Sequence, residues 1–323
     1  MAAGSRWKKL IPMKTKTELH KNITQEKSAV LIVNTHSRRG ERMFFRAVDE
    51  LTKRGIDLIA SYPVRQPERL PQVAQEAIRR KGSLVIVGGG DGTISSIVDY
   101  LAYQDVVLGI LPLGTGNSFA RTLGIPLSME GAADVIATGK VADIDLGKID
   151  QDYFANIASL GFSAEVARAT SPSLKRVLGP LAYLFAATRE FFRHRSFSCT
   201  LQIDGREHKL RTHQVIIANG SFTGKTFLSP TISPDDRSLI VFTMDMLDRW
   251  QMLKLWAAFF LGKYTDFAEA KYFQIQEARI EAVPSQSINV DGETTPAQTP
   301  VTVSLAPEAL KVLVPGSFED IDE

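Results

Sequence analysis

Between residues 29 and 113, short apolar runs alternate with segments whose apolar residues recur at helical spacing. The apolar runs, rich in β-branched residues, predict four strands, at 29–33, 56–62, 84–87 and 106–113. The helically spaced segments predict three helices, at 41–55, 68–80 and 93–103. Buried strands that alternate with helices in this way indicate a parallel, doubly wound α/β domain.

After about residue 150 the alternation stops, and the second half is predicted to be mainly β. Asp204-Gly205 between two strand-like runs predicts a hairpin over 197–218 with a two-residue turn. The remaining strands are predicted at 239–245, 272–283, 287–290 and 301–305, with helical stretches at 181–192 and 249–261. This pattern is typical of a sandwich or a partly open barrel, and we expect a C-terminal β-sandwich-like domain.

Composition is that of an ordinary globular chain with two domains. The chain has 323 residues, of which 44% are hydrophobic and 23% charged. The net charge of +2 gives no overall field to attract nucleic acid, so no nucleic-acid partner is expected. One cysteine, Cys199, cannot form an internal disulfide. No apolar run approaches the ~18 residues needed to span a bilayer, and the N-terminus has no apolar signal core. These features predict a cytoplasmic protein.

The lysine-rich residues 1–27 have weak periodicity, and their role is unknown. The pattern favours a frayed leader or a first helix over a basic segment that touches a membrane.

The segment that follows the third strand carries the first chemical signal. It reads Gly88-Gly89-Gly90-Asp91-Gly92-Thr93, and the third helix begins there. Glycines permit positive φ and let backbone N–H groups approach a ligand closely, and a helix N-terminus attracts anions. We therefore predict phosphate binding, the alternative being a tight turn in which Asp91 or Thr93 caps the helix.

The glycine spacing matches neither the dinucleotide fingerprint nor the Walker A loop, which disfavours a hydride-transfer enzyme and an ordinary P-loop NTPase. Asp91 is unusual in such a loop, since a carboxylate about 4 Å from a phosphate charge costs ~4 kcal/mol at an effective dielectric near 20. Asp91 is therefore expected either to turn away and bond to backbone or to meet the phosphates through Mg²⁺ and its waters.

A second glycine loop follows the fourth strand and reads Leu113-Gly114-Thr115-Gly116-Asn117-Ser118-Phe119-Ala120-Arg121. Open α/β sheets bind ligands in a crevice at the carboxyl ends of their strands. The two glycine loops are therefore predicted to lie side by side and to share one site.

These motifs resemble those of the soluble diacylglycerol-kinase-type lipid kinases. Residues 89–93 resemble the GGDGT signature, and residues 113–121 resemble LGTxNDFAR, with Ser118 in place of aspartate. Residues 34–40 resemble the NPxSG loop, with Thr35 in place of proline and the glycine displaced to Gly40. The similarity continues through 179–183, 218–220, 229–230 and 289–293 and covers most of 29–315.

The resemblance implies an ATP site between a nucleotide-binding α/β domain, residues 28–149, and a β-rich lipid-facing domain, residues 150–309. It also implies that the chain end, residues 310–323, returns to the first domain. The residues that would hold the nucleotide are Asn34, Gly89, Gly90, Asp91, Gly92, Thr93, Ile94, Ser95 and Thr115.

For catalysis, the resemblance makes Glu293 the proton acceptor. It also implies a structural Mg²⁺ loop at Ser233, Asp236 and Ser238, and a water-linked Mg²⁺ network at Asp145. Where the family reads Asp-Asp-Gly, this chain reads Asp235-Asp236-Arg237, and we expect the arginine to block the backbone shape that the metal loop needs.

Taken alone, Asp291-Gly292 predicts only a hairpin turn, as Asp204-Gly205 does, so the role of Glu293 comes from the resemblance. In-line phosphoryl transfer needs positioning, Mg²⁺ on the phosphates, and a carboxylate that takes the proton of the alcohol. Asp91 and Glu293 are the catalytic residues that we expect to divide the last two tasks.

The predicted function is an ATP- and Mg²⁺-dependent kinase that phosphorylates a hydroxyl of a membrane lipid, with diacylglycerol as the first candidate. Peripheral contact with the membrane is expected. The aromatic stripe at 249–260 is more typical of core, but an exposed part of it would rest in the headgroup region of the bilayer. The apolar residues at 222–228 are a second candidate for this contact. A homo-oligomer is compatible with the sequence.

Two other functions stay open. One is a kinase of a soluble substrate, similar to NAD kinases. The other is a nucleotide-binding regulatory protein that has lost catalysis, which the departures at Thr35, Ser118 and Arg237 leave possible.

Overall fold

The computed structural model describes residues 13–37, 39–80, 82–169, 188–220, 222–223, 226–227, 233–244, 250–251 and 270–320. The α-helices include α1 Lys16–Glu26, α2 Gly40–Lys53, α3 Leu70–Arg79, α4 Asp91–Leu101, α5 Ser118–Thr122, α6 Met129–Thr138 and α7 Phe162–Ala169, and a short 3₁₀ helix spans Pro67–Arg69. The strands are β1 Ser28–Asn34, β2 Asp57–Val64, β3 Leu84–Gly89, β4 Val107–Pro112, β5 Lys140–Ile149, β6 Asp152–Phe154, β7 Ile157–Gly161, β8 Phe197–Ile203, β9 Arg206–Thr212, β10 Gln214–Ala218, β11 Phe222–Thr223, β12 Thr226–Phe227, β13 Leu239–Met244, β14 Ala270–Ile275, β15 Glu277–Val283, β16 Ser287–Val290, β17 Glu293–Gln298 and β18 Val301–Val314.

The first half is the α/β domain that the alternating pattern predicts. Strands β2, β1, β3 and β4 pair in parallel in that order. Every residue of β3 and β4 is buried, since helices cover the sheet, which explains why these strands read as continuous apolar runs. All the carboxyl ends of a parallel sheet lie at one edge, so the segments after β1, β3 and β4 are brought together there.

Strand β18 is shared by both halves of the molecule. At residues 311–312 it pairs in parallel with β4, and over most of its length it pairs antiparallel with β5. Its first residues, 301–304, pair with β15 of the second half. The predicted strand at 301–305 therefore continues to Val314, past an irregularity between Ala306 and Leu310.

The second half is the predicted β-sandwich. A six-stranded sheet in the order β14-β13-β10-β7-β16-β17 faces the part of the larger sheet formed by β15, β8 and β9. Buried side chains such as Phe154, Phe197 and Ile280 fill the space between the two sheets. Two predicted strands, 207–218 and 272–283, are each divided, at His213 and Gln276, because their two parts belong to different sheets.

Residues 16–26 form the first helix that was one interpretation of the N-terminal segment. Thr15 and Glu18 make a capping box, and the helix buries Leu19 and Ile23 beside β5. Residues 1–12 lie outside the described residues. Most of the predicted helices at 181–192 and 249–261, and residues 224–225 and 228 of the predicted rim, lie outside them too. Within the described ranges, no helix has the length and apolarity needed to cross a bilayer.

Candidate functional site

The first loop is built at the end of β1. The Asn34 side-chain amide donates to Thr93 Oγ1 at 3.0 Å, and its oxygen accepts from the His36 N–H at 3.1 Å. Gly40 packs so closely against Thr35 that a Cβ on Gly40 would lie 2.4 Å from Thr35 Cα. The displaced glycine of this loop is thus required by backbone contact between residues 35 and 40.

The two glycine loops lie side by side. A Cβ on Gly114 would come within 2.4 Å of Gly90 Cα, and a Cβ on Gly90 within 3.0 Å of Gly114 Cα. The Leu113 N–H also donates to the Gly89 carbonyl at 2.8 Å. The close approach of the two backbones is therefore the reason that glycine occupies positions 90 and 114. The expectation of positive φ is wrong for these loops, since Gly90 has φ −100° and none of their glycines has φ in the left-handed region.

Helix α4 begins inside the first glycine loop. Its N-cap is Gly90, so neither Asp91 nor Thr93 takes the capping position that the alternative interpretation gave them. Asp91 is the first helical residue, and the Thr93 hydroxyl accepts from Asn34 instead. The positive end of the helix dipole therefore points into the crevice, where it favours an anion.

Asp91 turns toward the second loop, which is one of the two orientations expected for it. Its carboxylate accepts from the Phe119 N–H at 3.2 Å and from the Ser118 hydroxyl at 3.2 Å. Asp91, in the glycine loop after β3, thereby caps the short helix α5, which follows the glycine loop after β4. Ser118 suits this contact because a hydroxyl donates to Asp91, whereas the aspartate of the related motif would repel it.

A cleft of about 580 Å³ opens in front of these loops, between the α/β domain and the sandwich. Its lining residues are Asn34, Pro67, Leu70, Gly90, Gly92, Thr93, Ser95, Ser96, Asp99, Asp152, Tyr153, Val290, Glu293 and Thr295. This volume is typical of small-molecule and cofactor sites.

Five of the nine residues expected to hold a nucleotide line the cleft, namely Asn34, Gly90, Gly92, Thr93 and Ser95. Gly89 lies behind Thr93, where a Cβ would come within 2.4 Å of Thr93 Oγ1. Ile94 packs in the core, Asp91 caps α5, and Thr115 is exposed on the second loop.

Glu293 reaches the cleft from the opposite domain. It is exposed, and a Cβ on Gly92 would lie 3.6 Å from Glu293 Oε1. The structure therefore brings the carboxylate of Glu293 to the start of α4, although residues 92 and 293 belong to different domains.

Asp291 holds the turn that carries Glu293. Its carboxylate accepts from the backbone N–H groups of Ala155, Asn156 and Ile157, at 2.8, 3.0 and 2.9 Å. Burial of this carboxylate raises its pKa to about 6, against the effect of those three donors, and the negative charge of Asp91 adds to the rise.

The two Asp-Gly turns of the chain have similar backbones, with φ of 47° and 92° at 291–292 and of 48° and 74° at 204–205. They differ in tertiary contacts. Asp204 is exposed at the end of the β8–β9 hairpin, whereas Asp291 is bonded to the segment that crosses between the domains. This contact separates a simple hairpin from a turn that belongs to the site.

Unfolding free energy is expected to depend on pH through Asp291. With a folded pKa of about 6 against the usual 3.8, the native state keeps a proton that the unfolded chain has released. The resulting stabilisation is complete below about pH 4 and is lost as the pH rises through about 6. The advantage in unfolding free energy of the wild type over Asp291→Asn should therefore shrink between about pH 4 and 6 and stay constant above about pH 7.

Chemical denaturation at a series of pH values measures this difference. Asp204→Asn, in the exposed Asp-Gly turn, is the matched control and should show no such trend. An Asp291→Asn difference that does not change between about pH 4 and 7 would contradict the assignment.

Two residues of the cleft, Asp99 and Tyr153, carry no motif. The Tyr153 N–H donates to Asp99 Oδ1 at 2.8 Å, and burial raises the pKa of both side chains. The sequence does contain a signal for Asp99. Ser95 and Asp99 lie one helical turn apart on α4, so a cleft that contains Ser95 is expected to contain Asp99 as well, while the apolar face of the helix is buried. Tyr153 lies on β6, which the sequence pattern did not predict.

The proposed metal loop does not fit a magnesium ion. Asp236 accepts from the N–H groups of Ser233 and Ser238, at 3.2 and 3.0 Å, and from the Ser238 hydroxyl at 2.9 Å. Arg237 adopts φ 57°, so the expectation that arginine blocks this backbone shape is wrong. Its guanidinium bonds to Asp145 at 2.5 Å. The described residues contain no cluster of three or more acidic, histidine or cysteine side chains that could hold a metal.

Two family models match this chain, the diacylglycerol kinase catalytic domain over residues 28–149 and the YegS C-terminal NAD kinase beta sandwich-like domain over residues 156–314. A diacylglycerol kinase of Staphylococcus epidermidis is 28% identical over 277 residues, 83% of this chain and 86% of the relative. One of Mycobacterium tuberculosis is 29% identical over 278 residues, 83% of this chain and 88% of the relative.

A crystal structure of a diacylglycerol kinase from Bacillus anthracis is similar in fold, with a TM-score of 0.73 and 25% identity over 89% of this chain and 97% of the other. The family model and the kinase relatives support a phosphotransferase of the kinase class, and membership of a kinase family implies the use of ATP. Because the two models together span most of the chain, it belongs to the diacylglycerol kinase-type lipid kinase family, as its motifs indicated.

Proposed function

We propose that this protein transfers the γ-phosphate of ATP to a hydroxyl of a membrane lipid, and that diacylglycerol is the acceptor to test first. The observation that carries the proposal is the meeting, in one cleft, of the α4 N-terminus with the carboxylate of Glu293. The names of the Staphylococcus and Mycobacterium relatives support diacylglycerol as the first choice.

The polyphosphate of the nucleotide would lie at the glycine loops, where the helix dipole, Asn34 and Ser95 favour negative oxygens. From Gly92 to Asp99 the helix rises by about 10 Å, which leaves room for the nucleoside toward Asp99 and Tyr153. The charge of Asp91 raises the pKa of Asp291, so negative charge lies beside the start of α4 and would favour a cation on the bound nucleotide. Magnesium carried on the ATP phosphates would supply it.

Glu293 would act as the general base. As the acceptor oxygen forms its bond to the γ-phosphorus, the bond from that phosphorus to the β-phosphate oxygen breaks and ADP leaves. The hydroxyl proton passes to the Glu293 carboxylate. Little covalent chemistry is required of the protein beyond this, because positioning and charge neutralisation supply most of the catalysis of phosphoryl transfer.

The lipid would be reached by peripheral contact with the membrane surface. Trp250, at the start of the predicted aromatic stripe, is 65% exposed, and Phe192 is 68% exposed. Exposed aromatic side chains of this kind are favourable in the headgroup region of a bilayer.

A side-by-side assay with radiolabelled ATP tests the function. The acceptors are diacylglycerol in mixed vesicles, a total lipid extract and NAD⁺, and the product is identified by mass. We expect label in a lipid phosphate and none in NADP⁺. Labelled NADP⁺ would select a soluble-substrate kinase instead. Calorimetric binding of ATP with magnesium but no transfer to any acceptor would select a nucleotide-binding regulatory protein.

A further inference from the structure

Arg237 is in an unusual position for an arginine. Its backbone has φ 57°, a conformation that glycine adopts readily and other residues seldom do. It lies in the turn between Ser233 and Ser238, where the family resemblance implies a bound metal. A conformation that disfavours side chains is retained when the side chain makes compensating contacts.

The guanidinium of Arg237 connects three segments. Nη1 donates to Asp145 Oδ1 at 2.5 Å, and Nη2 donates to Glu308 Oε1 at 2.9 Å. The Arg237 N–H donates to the other oxygen of Asp145 at 3.0 Å. Asp145 belongs to β5 and Glu308 to the irregular part of β18, so one side chain ties the turn to both strands.

Asp145 requires a cationic partner. Its side chain is only 1% exposed, and a buried carboxylate is costly unless it is paired and hydrogen-bonded. Arg237 supplies the charge, and the Glu308 N–H supplies a further bond at 2.8 Å. A divalent ion at this carboxylate would meet the positive charge of the guanidinium, while the turn's own carboxylate, Asp236, is committed to Ser233 and Ser238.

This connection extends to the cleft through Asn219. The Asn219 side-chain amide donates to the carbonyls of Asp145 and Ala155, at 2.8 and 3.1 Å. Ala155 N–H in turn bonds to Asp291, whose turn carries Glu293. Arg237 therefore neutralises a carboxylate whose own backbone is hydrogen-bonded, through Asn219, to the segment that joins the two domains.

We infer that the guanidinium of Arg237 is a resident cation that replaces a divalent metal at this loop, so that the fold of this chain is independent of a structural magnesium ion. The inference does not depend on the reaction or on the acceptor, because it concerns stability in the absence of nucleotide.

The test compares thermal unfolding midpoints in EDTA and in excess magnesium or calcium, without nucleotide, for the wild type and Arg237→Gly. In EDTA we expect Arg237→Gly to unfold about 5 °C below the wild type, since Asp145 then lacks a partner. Added metal should recover most of this loss in Arg237→Gly, because the chain then carries the Asp-Asp-Gly loop. Binding of metal elsewhere occurs in both chains and cancels in the comparison.

Two further variants complete the design. Arg279→Ala removes an exposed arginine paired with Glu281 and should change the midpoint by about 1 °C or less, with no metal dependence. Arg237→Lys keeps a cation without the forked geometry, so it should lose part of the stability and gain no metal dependence. If Arg237→Gly folds only with metal, the inference is supported. Equal metal-induced shifts in wild type and Arg237→Gly, or equal midpoints in EDTA, would overturn it.

Discussion

Glu293→Gln is expected to lower kcat by about 10²–10⁴-fold, because an amide cannot take the proton of the acceptor hydroxyl. The KM for ATP should stay close to the wild-type value, since the side chain is exposed at the rim of the cleft beside Gly92 and is not part of the glycine loops. Steady-state kinetics with diacylglycerol vesicles measure both quantities.

Glu207→Gln is the matched control for this variant. Glu207 follows the other Asp-Gly turn, pairs with Lys209 at the surface, 3.3 Å away, and does not line the cleft. It should leave kcat unchanged. A Glu293→Gln protein that binds ATP normally and turns over at the wild-type rate would show that the proton goes to another group or to water.

The second large effect on kcat is expected at Asp91, where two substitutions distinguish the role of the negative charge from that of the hydrogen bond to the start of α5. Asp91→Ala removes both the charge and the acceptor for the Phe119 N–H, whereas Asp91→Asn keeps an acceptor oxygen at nearly the same place. We expect both to lower kcat by about 100-fold or more, because both remove the negative charge beside the start of α4 that would favour magnesium on the phosphates.

Only the alanine variant should lose stability at this position. Loss of the bond to the start of α5 costs about 1 kcal/mol, a shift of about 2 °C in the midpoint of unfolding. If Asp91→Asn retains wild-type turnover while Asp91→Ala loses it, Asp91 serves only to position the second loop.

The α/β half could be predicted from sequence because its strands are buried on both faces. β1, β3 and β4 read as unbroken apolar runs, and the helices between them show helical spacing. The sandwich was harder to resolve. Nothing local in 207–218 or 272–283 shows that each run divides between two sheets, because the division follows from tertiary packing of the β-rich half.

The candidate site was predictable as far as it is local. The adjacency of the two glycine loops follows from the order of β3 and β4, and the contact between Gly90 and Gly114 agrees with it. The anchoring of Asp291 to Ala155 spans 136 positions and gives no local signal. The partners of Arg237 are equally distant, since Asp145 lies 92 positions away. Sequence showed the departure at Arg237, and only the fold shows what it contacts.

Strand β18 also determines how the molecule can be divided. An excised first half ending at residue 149 would leave β5 without its long antiparallel neighbour and β4 with an unpaired edge. Exposed apolar edges of this kind recruit strands from other chains and cause aggregation. The α/β sheet therefore reaches its final width only after residues 301–314, which follow the β-rich half in the chain, have been synthesised.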